Sequence, residues 1–310
     1  MAGSGRQCPT VAGSGGQWPA LTTTERSRTV PIIDDPWRLP AATVHNGRMS
    51  APDAVSPAPV AEPAVARRAL VTGASTGIGA ATVRLLRAHG WQVVATARRA
   101  ERLAALADET GCDWIAADLQ KPEDVERLAS QAQAAGPIDA VVNNAGGAIG
   151  VDPVAQGKPE EWLTMYERNV LGALRVSQAF LPAMRERGGD LLFLTSTAGH
   201  ATYPGGAGYV AAKHAERIIA NTLRLELVGE PVRVIEIAPG LVSTEEFSLN
   251  RLHGDAAAAA RVYEGVAEPL VAEDIAECIV WALERPAHVN IDSLTVRPRA
   301  QASNTVIARD

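Results

Sequence analysis

From Arg68 onward, short and nearly all-apolar runs alternate with stretches of helical periodicity, and this alternation restricts the possible folds more than any single motif does. Ala69-Leu70-Val71 reads as a buried strand stopped by glycine, and Ala80 to His89 as a helix closed by Gly90. Further strands are expected at Gln92 to Ala97, residues 112–116, Ile138 to Val142, Asp190 to Thr195, Val232 to Ala238 and Ile291 to Val296. Helices fall between them: about Ala100 to Glu109, 122–135, a long region over about 160–185, the Tyr209 helix running to about Val228, a region near 245–264, and 272–284. Apolar strands spaced by helices predict a parallel sheet covered on both faces, since a half-exposed strand would alternate apolar with polar residues. The expected fold is a doubly wound, Rossmann-like α/β domain over residues 66–310, with a mostly seven-stranded parallel sheet. Its ligands belong at the carboxyl ends of the strands.

Residues 1–65 differ in kind. They are rich in Gly, Ser, Pro and Thr and carry an imperfect repeat, Ala2-Gly3-Ser4-Gly5 and Ala12-Gly13-Ser14-Gly15. Such a segment predicts a disordered N-terminal extension, with Met49 as an alternative start. The chain of 310 residues is 46% hydrophobic and 21% charged, which suits one domain with a sizeable core. A net charge of −6 without long runs of one sign gives no support for a nucleic-acid or membrane-surface partner. Cys8, Cys112 and Cys278 are scattered without metal-ligand spacing, so they read as reduced thiols of a cytoplasmic protein, and no metal is expected.

The strand ends carry the chemistry. Thr72-Gly73-Ala74-Ser75-Thr76-Gly77-Ile78-Gly79 follows the first strand, where glycines permit a tight turn and close approach to a pyrophosphate at a helix N-terminus. The second strand ends in Ala97-Arg98-Arg99, with no carboxylate to meet the ribose hydroxyls of NAD. Guanidinium forks there suit the extra phosphate of NADP instead. Asp118-Leu119 closes the third strand; its carboxylate suits either an adenine amine or the start of the next helix. Asn143-Asn144 directly after a buried strand points to amides that bind something. Pro239-Gly240 opens a loop through Val242 and Thr244, on the nicotinamide side.

Tyr209 and Lys213 stand four residues apart, which places both on one face of a helix. An ammonium beside a phenol favours the phenolate and draws its pKa toward neutrality, so Tyr209 can exchange a proton with an alcohol. Ser196, thirteen residues upstream, can hold the same substrate oxygen. His200 and Tyr203 lie between them and suit either a pocket lining or ordinary loop packing. Arg251 and His253, after Thr244, are candidates to bind a carboxylate.

Together these residues resemble the short-chain dehydrogenase/reductase family, in its single-domain branch, over about residues 67–298. The motifs are Thr72-Gly73-x-x-x-Gly77-x-Gly79, Asn143-Asn144-Ala145-Gly146, Asn169, Ser196, Tyr209-x-x-x-Lys213 and Pro239-Gly240-x-x-x-Thr244. The resemblance implies that Tyr209 is the general acid/base and that Lys213 lowers its pKa and holds the nicotinamide ribose. It further implies that Ser196 binds the substrate oxygen and that Asn169 positions a water. The cofactor would lie along Gly73, Ser75, Thr76, Gly77, Ile78, Gly79, Arg98, Arg99, Asp118, Leu119, Asn144, Tyr209, Lys213, Pro239, Gly240, Val242 and Thr244. Ser196-Thr197-Ala198-Gly199, Tyr203-Pro204-Gly205-Gly206 and Pro286 to Ile291 are similar to the NADP-dependent 3-hydroxy acid and serine dehydrogenase subgroup. Ser243-Thr244-Glu245 departs from the Gly-Gly-Thr common there, and the tail after Pro298 is short. The implied activity is NADP(H)-dependent interconversion of a small alcohol and its carbonyl by a homo-oligomer, dimer or tetramer. An NADPH-binding sensor or scaffold without catalysis is the alternative. A nucleotide-sugar epimerase fits poorly, because about 97 residues after Lys213 leave no room for its substrate subdomain.

Overall fold

The protein is described from a computed structural model, which defines residues 66–310; the expected N-terminal extension, its alternative start and Cys8 lie outside the described residues. Strand β1 (Arg68–Thr72) is buried along its whole length and leads into α1 (Gly77–Ala88). There follow β2 (Gln92–Ala97), α2 (Ala100–Thr110), β3 (Asp113–Ala116), α3 (Pro122–Ala134) and β4 (Ala140–Asn143). The second half comprises α4 (Pro159–Tyr166), α5 (Gly172–Arg187), β5 (Gly189–Leu194), α6 (Ala207–Glu226) and β6 (Val232–Pro239). A small excursion, β7 (Val242–Ser243), α7 (Phe247–Arg251), α8 (Ala256–Arg261) and β8 (Leu270–Val271), precedes α9 (Ala272–Leu283) and β9 (Leu294–Val296).

Seven strands form one sheet in the order β3-β2-β1-β4-β5-β6-β9, and every pairing in it is parallel. Successive residues of a strand face opposite sides, and the two cores divide on that rule. Ala69 and Val71 pack with Val83, Leu86, Ile275 and Ile279 on one face, while Leu70 packs with Leu128, Val176 and Phe180 on the other. Because strand order reverses between β1 and β4, their carboxyl ends diverge from the flanking loops and open a crevice. Among the described residues, no helix is long and apolar enough to cross a membrane.

Several boundaries differ from the expectations, each for a local reason. Helix α1 opens at Gly77, inside the glycine turn, instead of at Ala80. The long region 160–185 is broken by a π-helical turn, Glu167–Leu171. There the Asn169 side-chain amide donates to the Met165 carbonyl (2.7 Å), the acceptor its own backbone N–H would use in an α-helix. The region 245–264 splits because His253 (φ 54°) and Gly254 (φ 86°) turn left-handed, after which Asp255 caps α8 through the Ala258 N–H at 2.9 Å. The last strand is three residues long, because the side chain of Asn290 takes the Val234 carbonyl (3.1 Å) ahead of any ladder bond. The short parallel pair β7–β8 has no signature in the sequence.

At the amino ends of the strands, opposite the crevice, Asp190 binds Arg233 through both carboxylate oxygens (2.6 and 2.7 Å) and Arg67 at 2.6 Å. Arg233 also donates to the carbonyls of Leu283, Arg285 and Val289, which ties α9 and its following loop to the sheet. Removing one partner of a buried pair leaves the other charge uncompensated. Asp190→Asn is therefore expected to lower unfolding stability by about 3 kcal/mol, read as a shifted midpoint in urea at an unchanged slope.

Candidate active site

The crevice is a cavity of about 640 Å³ running from the glycine turn to Tyr209. The turn is locked to its neighbour by Thr72, whose hydroxyl donates to the Val142 carbonyl (3.1 Å) and accepts from the N–H groups of Asn144 and Ala145 (2.9 Å each). The Asn144 amide completes the lash by donating to the Thr72 carbonyl at 2.7 Å. The two amides after β4 are therefore structural splices as well as cavity wall: Asn144 faces the cavity, and Asn143 is buried against Ser177. Gly73 (φ 65°) and Gly77 (φ 54°) are left-handed. A Cβ on Gly79 would stand 2.4 Å from the Gly73 carbonyl oxygen, so only hydrogen fits where the helix meets the turn. Among the described residues no side chain caps α1, so its first amides stay open at the mouth of the turn, as a helix N-terminus that receives an anion would present them.

At the far end, Arg98 and Arg99 both line the cavity, yet they are held differently. Arg99 forms a fork with Glu246 (2.7 and 2.9 Å) and touches Ser75 Oγ at 2.9 Å, and Arg102 joins the same carboxylate at 3.0 Å. The fork holds the Glu246 carboxyl below its usual range and pins the start of α7 over the crevice. Arg98 makes no side-chain hydrogen bond among the described residues. It faces Arg168, a residue the sequence reading missed, whose Nε is buried without a partner and whose pKa is lowered by burial and then by Arg98. Asp118 and Leu119 line the wall beside it. The Asp118 carboxylate also accepts from the Gln120 N–H (3.2 Å), so it shapes its own turn, while Glu123 and Asp124 occupy the first turn of α3.

The reactive end gathers side chains from β5, α6 and the loop after β6. Ser196 begins a short helical turn, accepts from the Ala198 N–H (3.1 Å) and donates to the Pro239 carbonyl (3.4 Å). Tyr209 stands in the first turn of α6, 8% exposed, with Phe247 edge-on at 5.7 Å. Lys213 Nζ lies 6.0 Å from the Tyr209 ring centre and donates to the Leu194 carbonyl at 2.9 Å. Burial pushes the phenol above its ordinary pKa; Lys213 pulls it down, Tyr203 and Glu216 push it up, and the Ser196 hydrogen bond pulls it down again. The expected draw toward neutrality is thus corrected: at this phenol, desolvation outweighs the ammonium.

Gly73, Ser75, Thr76, Gly77, Ile78, Pro239, Gly240, Val242 and Thr244 line the cavity with Ser196, Tyr209 and Lys213. Gly79 and Asn169 do not; they stand behind it. The Asn169 side chain is spent on backbone, accepting from the Gly147 N–H (3.0 Å) and donating to the Gly147 and Met165 carbonyls. Tyr203 and Arg251 reach the cavity, with the Arg251 guanidinium 5.5 Å from the Tyr203 ring and 6.0 Å from the Tyr209 ring. His200 instead turns to Glu236 (3.0 Å), and His253 to Glu161 (3.7 Å). The tail after Pro298 folds back as well: Gln301, Asn304, Ile307 and Arg309 form cavity wall, and the Asn304 amide donates to the carbonyls of Thr197 and Ala201.

Residues 67–252 match the short chain dehydrogenase family. The chain belongs to that family, and so is an oxidoreductase of CH–OH groups. It is 52% identical to an uncharacterized oxidoreductase of Mycobacterium tuberculosis over 238 residues, 76% of this chain and 93% of the other. It is 40% identical to the NADP-dependent 3-hydroxy acid dehydrogenase YdfG of Salmonella typhi, covering 75% of this chain and 95% of that one. The closed form of a serine dehydrogenase complexed with NADP+ superimposes with a TM-score of 0.74 at 38% identity, covering 78% of this chain and 99% of the other.

A methyl group on Gly79 must displace the glycine turn. Gly79→Ala is expected to weaken dinucleotide binding at least about tenfold while the protein stays folded, measured by fluorescence titration with NADP+ alongside circular dichroism.

Proposed function

We propose that the chain interconverts the 3-hydroxyl of a small 3-hydroxy acid, of the serine or 3-hydroxypropionate class, and the corresponding carbonyl, using NADP(H). The observation that carries the substrate class is Arg251, a guanidinium on the Tyr209 side of the cavity within 6.0 Å of the phenol ring. A carboxylate paired there would present the neighbouring hydroxyl to Tyr209 and Ser196. The 3-hydroxy acid and serine dehydrogenases among its relatives support the same reading.

The residues fit a dinucleotide: the glycine turn approaches closely and, among the described residues, the amides of α1 are uncapped and Arg98 and Arg168 face one another unpaired. Gly73 to Gly79 would hold the pyrophosphate, Asp118 and Leu119 the adenine, and Arg98 with Arg99 the 2′-phosphate. Pro239, Gly240, Val242 and Thr244 would flank the nicotinamide. When bound, the nicotinamide supplies or accepts the hydride at its C4. In oxidation, the Tyr209 phenolate takes the hydroxyl proton as the substrate C–H bond gives up its hydride. In reduction, the phenol returns that proton to the developing alkoxide. Ser196 Oγ donates to the same oxygen and so steadies its charge. Lys213 favours the phenolate and would grip the nicotinamide ribose. Asn169 keeps the bent backbone behind Gly147 in place, where a water can pass protons. Ile218 and Leu225 leave apolar surface on one face of α6, 56% and 78% exposed, which favours a homo-oligomer.

The test is a panel of hydroxy acids and simple alcohols with NADP+ and NAD+ in parallel. Faster oxidation of L-serine or 3-hydroxypropionate than of alcohols lacking a carboxylate is expected, and Arg251→Ala should raise KM for the acids selectively. Tight NADP+ binding with no turnover of any member would overturn the proposal. Tyr209→Phe should cost at least about a hundredfold in kcat. Because burial raises the phenol pKa and oxidation needs phenolate, kcat/KM for oxidation should climb with pH into the alkaline range, and the reductive rate should fall there. Arg98→Ala should erode the preference for NADP+ over NAD+, which the ratio of the two kcat/KM values reads directly.

A further inference from the structure

Lys213 is itself ion-paired from behind. Glu216, one helical turn along the same face of α6, is fully buried, and its Oε2 accepts from Lys213 Nζ at 2.6 Å. Its Oε1 is buried with no hydrogen-bond partner among the described residues. Beyond it on β6 stands Glu236, 1% exposed, which accepts from Thr195 Oγ1 at 2.7 Å. Glu236 also meets His200 Nε2 at 3.0 Å and Arg217 Nε at 3.9 Å. A carboxylate in such a dry helix–sheet seam costs desolvation, and a buried ion pair is weak evidence of a stabilising role. Its position one helical turn behind the group that tunes Tyr209 suggests another use.

We propose that Glu216 is a positioning residue that sets the charge Lys213 presents to Tyr209, and with it the pH range in which the phenol works. Paired with the carboxylate, the ammonium is offset in part as seen from the ring, and the phenol stays higher. With Glu216 protonated, the full ammonium field acts on Tyr209 and draws its pKa down. The groups facing Glu216 oppose one another: Lys213 favours its ionised form, while Glu236 across the seam disfavours it, and Glu236 is itself in contact with His200 and Arg217. Burial dominates and pushes the Glu216 carboxyl up to about 7, so the switch between the two states falls near neutrality. Above that point Glu216 is ionised and holds the Tyr209 pKa up. Below it the brake is released.

The inference rests on Tyr209 as acid/base but not on the identity of the substrate. The experiment is the ionisation of Tyr209 in NADP+-saturated protein, taken as the ultraviolet phenolate titration of each protein minus that of its Tyr209→Phe counterpart. Glu216→Gln keeps the shape and removes the charge, and should lower the Tyr209 pKa by about one unit. The alkaline rise in kcat/KM for oxidation of 3-hydroxypropionate should move down with it. Glu216→Leu, which suits an apolar seam, should give the same direction and serves if the amide variant folds poorly. A Tyr209 pKa unchanged or raised in these variants would overturn the proposal, even if turnover fell, since a merely structural role would reduce rate or stability without moving the phenol. A wrong substrate would silence the kinetic arm alone and leave the titration intact.

Discussion

The splice between β1 and β4 is the constraint on which the site depends. Thr72 joins the two strand ends through its hydroxyl, and Asn144 closes the loop back onto the glycine turn. With those ends fixed, Gly73 and Gly77 can hold left-handed conformations without fraying the sheet, and α1 points its uncapped amides into the crevice. The same register carries Ser196 from the end of β5 to face the first turn of α6. A doubly wound sheet converts a small set of strand-end bonds into alignment across the whole active site.

Charge is distributed between the two ends of the sheet for different purposes. At the amino ends, Asp190 is satisfied by two arginines, and the cluster holds α9 to β5 and β6. At the carboxyl ends the charges are incompletely matched. Arg98 faces Arg168, Glu216 keeps one oxygen unpaired among the described residues, and Tyr209 is a buried phenol held above its ordinary pKa. Unsatisfied charge in a folded protein is costly; Arg98, Arg168 and Tyr209 line the cavity, while Glu216 lies behind Lys213 in the helix–sheet seam.

The central strands are legible in the sequence because Leu70, Val141 and Leu192 sit in short apolar runs bounded by turn residues and spaced by helical patterns, as strands buried on both faces do. The glycine turn, Ser196, Tyr209 and Lys213 are legible because their chemistry depends on local spacing. Arg168 and Glu216 are not singled out, although each adjoins a motif residue, since their meaning lies in burial and in partners from other elements. The π turn at Asn169 hides for a similar reason: the amide that breaks the helix looks like any helical asparagine until Gly147 is beside it. The Glu246 fork on Arg99 and the returning C-terminal tail are long-range contacts, beyond the reach of periodicity. His200 takes the loop-packing alternative that its sequence position left open, against buried Glu236, while His253, a candidate for a substrate carboxylate, meets the part-buried Glu161 instead.

If this cavity moves a hydride between a carbinol carbon and a bound nicotinamide while Tyr209 carries the proton, the cofactor must take up the substrate's own carbon-bound hydrogen. That transfer is tested most directly by incubating the protein with NADP+ and 3-hydroxypropionate deuterated at C3, then analysing the cofactor by mass spectrometry. Deuterium recovered at C4 of NADPH, with a primary isotope effect on turnover, is the predicted result. NADP+ that stays bound but unreduced, or NADPH formed without the label, would contradict the account.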